Sequence, residues 1–221
     1  MTEWLAVALL GALVGLDSTS FAQIMISRPV VAGALAGAVF GRPVEGVMLG
    51  FLLEAFALVT LPIGASRYPE SGTAAVAATA ALMGTVAGPD PGVLVLALAF
   101  ALGWERLAGE TVVLLRRVNG RLLPRGSAVA PAALERRHLL AMALDFVRAG
   151  VVTVLGAFVG LVLLRALAGH WALPAEATWG ALTVLVAAMV GAMLPLFGGA
   201  RVRRMAWVVG LAAGVAAAVT L

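Results

Sequence analysis

Residues 17–81 read DSTSFAQIMISRPVVAGALAGAVFGRPVEGVMLGFLLEAFALVTLPIGASRYPESGTAAVAATAA. Asp17, Gln23, Arg28, Arg42, Glu45 and Glu54 interrupt apolar runs that are each too short to cross a bilayer, whose hydrocarbon core takes about twenty residues of helix. Ionisable groups are costly at that depth, and broken, glycine-spaced helices are where membrane carriers place their substrate sites. The stretch predicts a membrane protein whose functional groups gather in its N-terminal third.

The rest of the chain agrees. It has 221 residues, 62% of them hydrophobic and only 12% charged, whereas a soluble domain is nearer half apolar. Its long Ala-, Leu- and Gly-rich segments lack the ten-residue alternation of a transmembrane barrel. The expected fold is an all-α integral membrane protein, a polytopic helical bundle with short broken or re-entrant helices in the N-terminal third. A single transmembrane domain over 1–221 is expected. It divides into N-terminal helices with the site (1–115), a cytoplasmic loop (116–138) and C-terminal helices (139–221).

Only Ser71 to Pro89 and Ala177 to Ala200 are uncharged over a full span. Trp4 to Leu16, Pro29 to Gly41, Ala149 to Leu164 and Met205 to Leu221 are shorter, and the last two gain length from snorkelling arginines at their ends. The N-terminus, with its acidic flank, reads as a retained helix and not a secretory signal.

All fifteen basic residues are arginine and the net charge is +4. Most of them cluster between Trp104 and His138 and at Arg201, Arg203 and Arg204. In so apolar a chain this is the positive-inside signature of short cytoplasmic loops, and no nucleic-acid partner is expected. The absence of cysteine excludes disulfides and thiolate chemistry. His138 and His170 lack metal-ligand spacing, and neither a metal nor a cofactor is expected. No phosphate loop, HExxH or GxSxG occurs, so no catalytic residue is assigned.

Arg28-Pro29 and Arg42-Pro43 form a small repeat in which each proline opens a helix. Gly33, Gly37 and Gly41, followed by Gly46 and Gly50, give the spacing that lets helix backbones approach closely in lipid. These glycines are expected to pack against another helix.

Four residues stand out as candidate substrate ligands. Glu54, flanked on both sides by apolar residues, must face a polar cavity or be paired, with Arg28 or Arg42 the available partners. Asp17 and Gln23 offer the carboxylate and amide that a small hydroxylated ligand needs, although Asp17 and Ser18 also suit helix capping. Residues 62–73, PIGASRYPESGT, read as an irregular loop in which Ser66, Glu70 and Ser71 could reach the same site. Arg28 binds ligand, holds Glu54 or snorkels to the interface.

At these residues the chain resembles the IIC component of the mannose/fructose/sorbose class of sugar phosphotransferase systems. The likeness rests on Gly15-Leu16-Asp17 at the end of the first helix, the Ser27-Arg28-Pro29 step, the glycine run, the membrane Glu54 and the Pro62-Ile63-Gly64-Ala65 loop. It covers residues 15–81 in detail and 139–197 in general pattern. The resemblance implies a permease subunit of the inner (cytoplasmic) membrane that moves a sugar beside a IID subunit. Cytoplasmic IIA and IIB subunits would phosphorylate that sugar, with the phosphate carried on a IIB histidine. Related assemblies are built as trimers of IIC–IID pairs. A carrier of another small polar solute, or a non-transporting scaffold of the same fold, are the alternative readings.

Both arginine-rich stretches, 116–138 and 201–204, are expected in the cytoplasm. A single cysteine placed at Ser127 should react with an impermeant thiol reagent only after the cells are permeabilised, and labelling in intact cells would reverse the topology.

Overall fold

The computed structural model describes residues 2–58, 69–122 and 131–193, with scattered positions between 201 and 212. Its helices are α1 (Thr2–Thr19), α2 (Pro29–Val39), α3 (Pro43–Ala57), α4 (Ser71–Thr85), α5 (Pro91–Leu122), α6 (Pro131–Leu167) and α7 (Ala175–Met193). No strand occurs among the described residues. Proline stands first in four of these helices, where its missing N–H has no intrahelical partner to lose. Asp90 caps α5, its Oδ1 accepting from the N–H groups of Gly92 and Val93 at 2.9 and 3.0 Å.

Residues 2–19, 91–122, 131–170 and 175–193 are long and apolar enough to cross a membrane. The helices α2 and α3, with 11 and 15 residues, reach only about 16 and about 22 Å. Neither covers a hydrocarbon core of about 30 Å alone.

The buried centre is α4. It touches α1, α2, α3, α5 and α6, and all of Gly72 to Met83 is buried. Its sequence, SGTAAVAATAALMGT, carries almost no side chain beyond three heavy atoms, so five neighbours can close around it. The expectation of a full span from Ser71 to Pro89 is thereby corrected: the helix stops at Thr85 and is wrapped by protein.

Glycine sets the closest contacts. A Cβ on Gly33 or Gly37 would run into the backbone of Gly46 and Gly50 or of Arg42 and Gly46, and the reverse holds for Gly46. This register makes α2 and α3 an antiparallel hairpin within the chain. Gly41 is different from the expectation: it has φ +70 with open space around it. It turns the chain from α2 into α3 and packs against nothing.

The charged segment 116–138 also differs from the reading as a loop. Helix α5 continues to Leu122 and α6 begins at Pro131, because the residues from Arg116 to Leu122 contain no proline to stop a helix. Arg137 Nη1 donates to the terminal carbonyl of Leu122 at 2.7 Å and ties the two ends together. The expected last span, Met205 to Leu221, lies mostly outside the described residues.

The two kinds of glycine separate in a stability measurement. Gly33→Ala should destabilise the protein by about 1–3 kcal/mol, since the added methyl meets backbone that cannot move aside. Gly41→Asn should cost less than about 1 kcal/mol, because asparagine tolerates left-handed backbone. Thermal unfolding in detergent checks both, and equal losses would refute the distinction.

Candidate functional site

Arg148, near the middle of α6, holds the polar centre of the fold. Its Nη1 and Nη2 donate to Glu70 Oε2 and Oε1, both at 2.8 Å, in a two-pronged pair. Its Nε and Nη2 reach Asp145 Oδ1 at 2.9 and 2.8 Å, and Nη1 meets Thr111 Oγ1 at 2.9 Å. The other Asp145 oxygen accepts from Thr19 Oγ1 at 2.9 Å and from Ser20 Oγ. The end of α1, the residue before α4, the middle of α5 and α6 are thus joined through one guanidinium. The side chains of Arg148, Glu70 and Asp145 are 10%, 1% and 2% exposed, so these charges interact with little screening by water. The backbone adds a tie, Glu70 N–H donating to the Glu105 carbonyl at 3.0 Å.

Beside this cluster the link from α1 to α2 bends sharply. Ala22, Gln23 and Met25 have φ values of 68, 53 and 70, in the left-handed region that non-glycine residues seldom occupy. Asp17 keeps the link in that shape. Buried in the last turn of α1, it accepts from the N–H groups of Ile24 at 2.6 Å and Ser27 at 2.9 Å. It caps the loop that follows its helix instead of a helix start.

Between this link, the start of α4 and the faces of α5 and α6 lies a cavity of about 590 Å³. Its lining includes Ser18, Thr19, Ser20, Gln23, Ser27 and Arg28 from the α1–α2 region. Glu70, Ser71 and Gly72 come from α4, Arg116 and Asn119 from α5, and Asp145 from α6. Hydroxyls and amides dominate this wall, and its buried acids already face Arg148. Such a wall suits a neutral ligand with several hydrogen-bonding groups.

The structure places the expected residues in distinct roles. Gln23 and Arg28 line the cavity, as do Glu70 and Ser71. Glu54 is ion-paired with Arg28 and its second oxygen lies 3.4 Å from Val30 N–H, at the open start of α2. It holds α3 to the residue that faces the cavity. Asp17 acts likewise through Ser27. Gly33 and Gly37 belong to the hairpin interface. Ser66 lies outside the described residues.

Sequence reasoning passed over Asp145, Arg148 and Asn119. For the first two the signal was present: an acid and an arginine three residues apart inside the apolar run from Leu139 to Leu164 share one helix face. Asn119 was hidden by the assignment of 116–138 to a loop.

Comparison with known proteins follows the geometry. The family described as PTS system sorbose-specific IIC component matches residues 1–215. The fructose permease IIC component of Bacillus subtilis (strain 168) is 27% identical over 147 residues, 65% of this chain. That match spans about half of the relative's length, 53%. A solved structure described only as a membrane protein superposes with a TM-score of 0.74 at 17% identity, over 97% of this chain and 87% of its own. The mannose transporter ManYZ, solved by electron cryomicroscopy in complex with microcin E492, gives 0.61 at 16% identity, over 96% and 86%. At such identities the two structures speak for a shared fold.

The two arginine pairs should differ in weight. Arg148→Met leaves two buried carboxylates without their cation and should cost about 3–5 kcal/mol. Glu54→Gln breaks a pair whose arginine side chain is 44% exposed and should cost no more than about 1 kcal/mol. Thermal unfolding of the purified variants measures the order, and an equal or reversed effect would displace Arg148 from the centre of the fold.

Proposed function

The chain belongs to the sorbose-specific IIC family of phosphotransferase-system components, and on that premise we propose that it is the sugar-translocating membrane subunit of such a system. The observation that carries the reading is the cavity: a polar, charge-compensated chamber inside an otherwise apolar helical protein. Buried polar groups are expensive in a membrane protein and mark the route of a polar solute. A sugar, neutral and rich in hydroxyls, is the ligand whose chemistry answers hydroxyl, amide and guanidinium groups around one space.

In this reading Gln23 and Arg28 bind the sugar directly. Glu54 and Asp17 fix them in place, Glu54 through its pair with Arg28 and Asp17 through the loop that carries Gln23. The subunit performs no phosphoryl transfer of its own. Soluble IIA and IIB partners phosphorylate the sugar on the cytoplasmic side of the inner membrane. A IID subunit stands beside the chain, in an assembly of IIC–IID pairs with trimeric symmetry. The apolar surface of α7, of which only 11% is buried within the chain, offers room for such a neighbour as well as for lipid.

Gln23→Asn is the informative variant. Asparagine adopts left-handed backbone readily, so the loop keeps its shape while the amide is drawn back by one methylene. In a transport-deficient strain expressing the chain with its IIA, IIB and IID partners, sugar uptake should show a KM raised about tenfold, a loss of one hydrogen bond to ligand. Membrane abundance should be unchanged. Failure of the unaltered assembly to accumulate any hexose as its phosphate would overturn the reading, and an unchanged KM would remove Gln23 from the site.

A further inference from the structure

One face of α5 forms a wall of the cavity. Val112, Leu115, Arg116 and Asn119 all line it, and their spacing of three, four and seven residues puts them on a single stripe of the helix. Val112 and Leu115 are apolar and lie beside the polar pair. Such a wall, part aliphatic and part hydrogen-bonding, stands across from Gln23 and Ser27.

Asn119 Oδ1 is buried and has no hydrogen-bond partner among the described residues. Other buried side-chain atoms share that condition, on Arg42, Thr79, Trp104 and Thr153, and none of those residues lines this cavity. An amide oxygen withdrawn from water and left without a donor is unfavourable, and a native protein retains such a group where something else supplies the donor. The space in front of Asn119 is the cavity itself.

We propose that Asn119 is a substrate-binding residue that sets the choice of sugar, accepting a hydrogen bond from one hydroxyl while Val112 and Leu115 pack against ring C–H groups. The assignment rests on the sugar-permease reading above and extends it to a helix that carries none of the expected site residues. Its consequence is specificity. A site built to pair a hydroxyl rejects the analogue that lacks it far more strongly than an apolar pocket rejects an extra group, because the analogue leaves the buried acceptor unmatched. A sugar with that hydroxyl absent, or displaced by inversion of one ring carbon, should therefore compete poorly.

The test uses the complete system in cells, with the transported hexose as substrate and its monodeoxy analogues as competitors. Alanine is the best helix former, so Asn119→Ala is expected in the membrane at normal abundance. Its KM should rise about tenfold or more with Vmax retained. The unaltered protein should discriminate against one particular deoxy analogue, and Asn119→Ala should lose that discrimination while keeping the others. Asn119→Asp, which preserves an acceptor oxygen at the same reach, should restore it.

A KM equal to that of the unaltered protein, or a Vmax loss with every analogue affected alike, overturns the proposal and makes Asn119 a structural residue. So does Asn119→Asp behaving as Asn119→Ala. A system in which the unaltered protein takes up no hexose overturns the permease reading and this one with it, whereas uptake that is indifferent to Asn119 removes this one alone.

Discussion

Everything polar in this fold depends on one guanidinium. Arg148 faces two carboxylates, Glu70 and Asp145, each almost wholly enclosed, and bonds to Thr111 as well. A charge that far from water is tolerated only when paired and fully hydrogen-bonded. The planar fork of arginine meets that demand where lysine would not, since it presents parallel donors to Glu70 and a separate edge to Asp145. The four segments it joins come from distant parts of the chain. Their relative placement is fixed by directional bonds, and α1 is held through Thr19 and Ser20, which both donate to Asp145.

Directional bonds alone do not hold helices together in lipid, where the hydrophobic effect between them is absent and contact area has to come from closeness. The chain supplies closeness with small residues. Gly11 and Gly15 sit against Thr153 and Ala149 across α1 and α6, and Gly156 and Gly160 make room for Trp104 and Phe100 of α5. With α4 built mainly of alanine, the backbone around the polar cluster is brought near enough that water is squeezed from its deepest part. Polar satisfaction and small-residue packing are therefore one arrangement: the ion pairs need the enclosure, and the enclosure needs helices that approach closely.

Much of this was legible in the sequence. Composition fixed the membrane class, the glycine ladder from Gly33 to Gly50 foretold a tight interface, and a carboxylate as isolated as Glu54 demanded a partner, which is Arg28. Three features escaped for definite physical reasons. Ladder spacing does not reveal whether a glycine serves closeness or backbone freedom, so Gly41 was grouped with packing residues although its role is a left-handed turn. The charges of 116–138 are compatible with a solvated helix as much as with a loop, and only proline decides, which is why Asn119 was missed. Pairing over long sequence distances, as between Glu70 and Arg148, leaves no local pattern at all.

The link from α1 to α2 shows how such distant pairings turn into function. Three left-handed residues within four positions are a local conflict that the sequence DSTSFAQIMIS gives no glycine to relieve. Strain of this sort persists when the surroundings over-determine the backbone. Asp17 holds it from behind with two N–H groups, the Ser20 hydroxyl is anchored on Asp145, and Arg28 is anchored on Glu54. The chain is thus pinned at its start, at its middle and at its end by carboxylates of three different helices. A strained loop held in this way stays ordered when a ligand arrives, so Gln23 loses little further freedom on binding and more of its interaction with a ligand survives as affinity. The same geometry ties the cavity wall to the fold's polar centre, because Asp145 serves the loop and Arg148 at once.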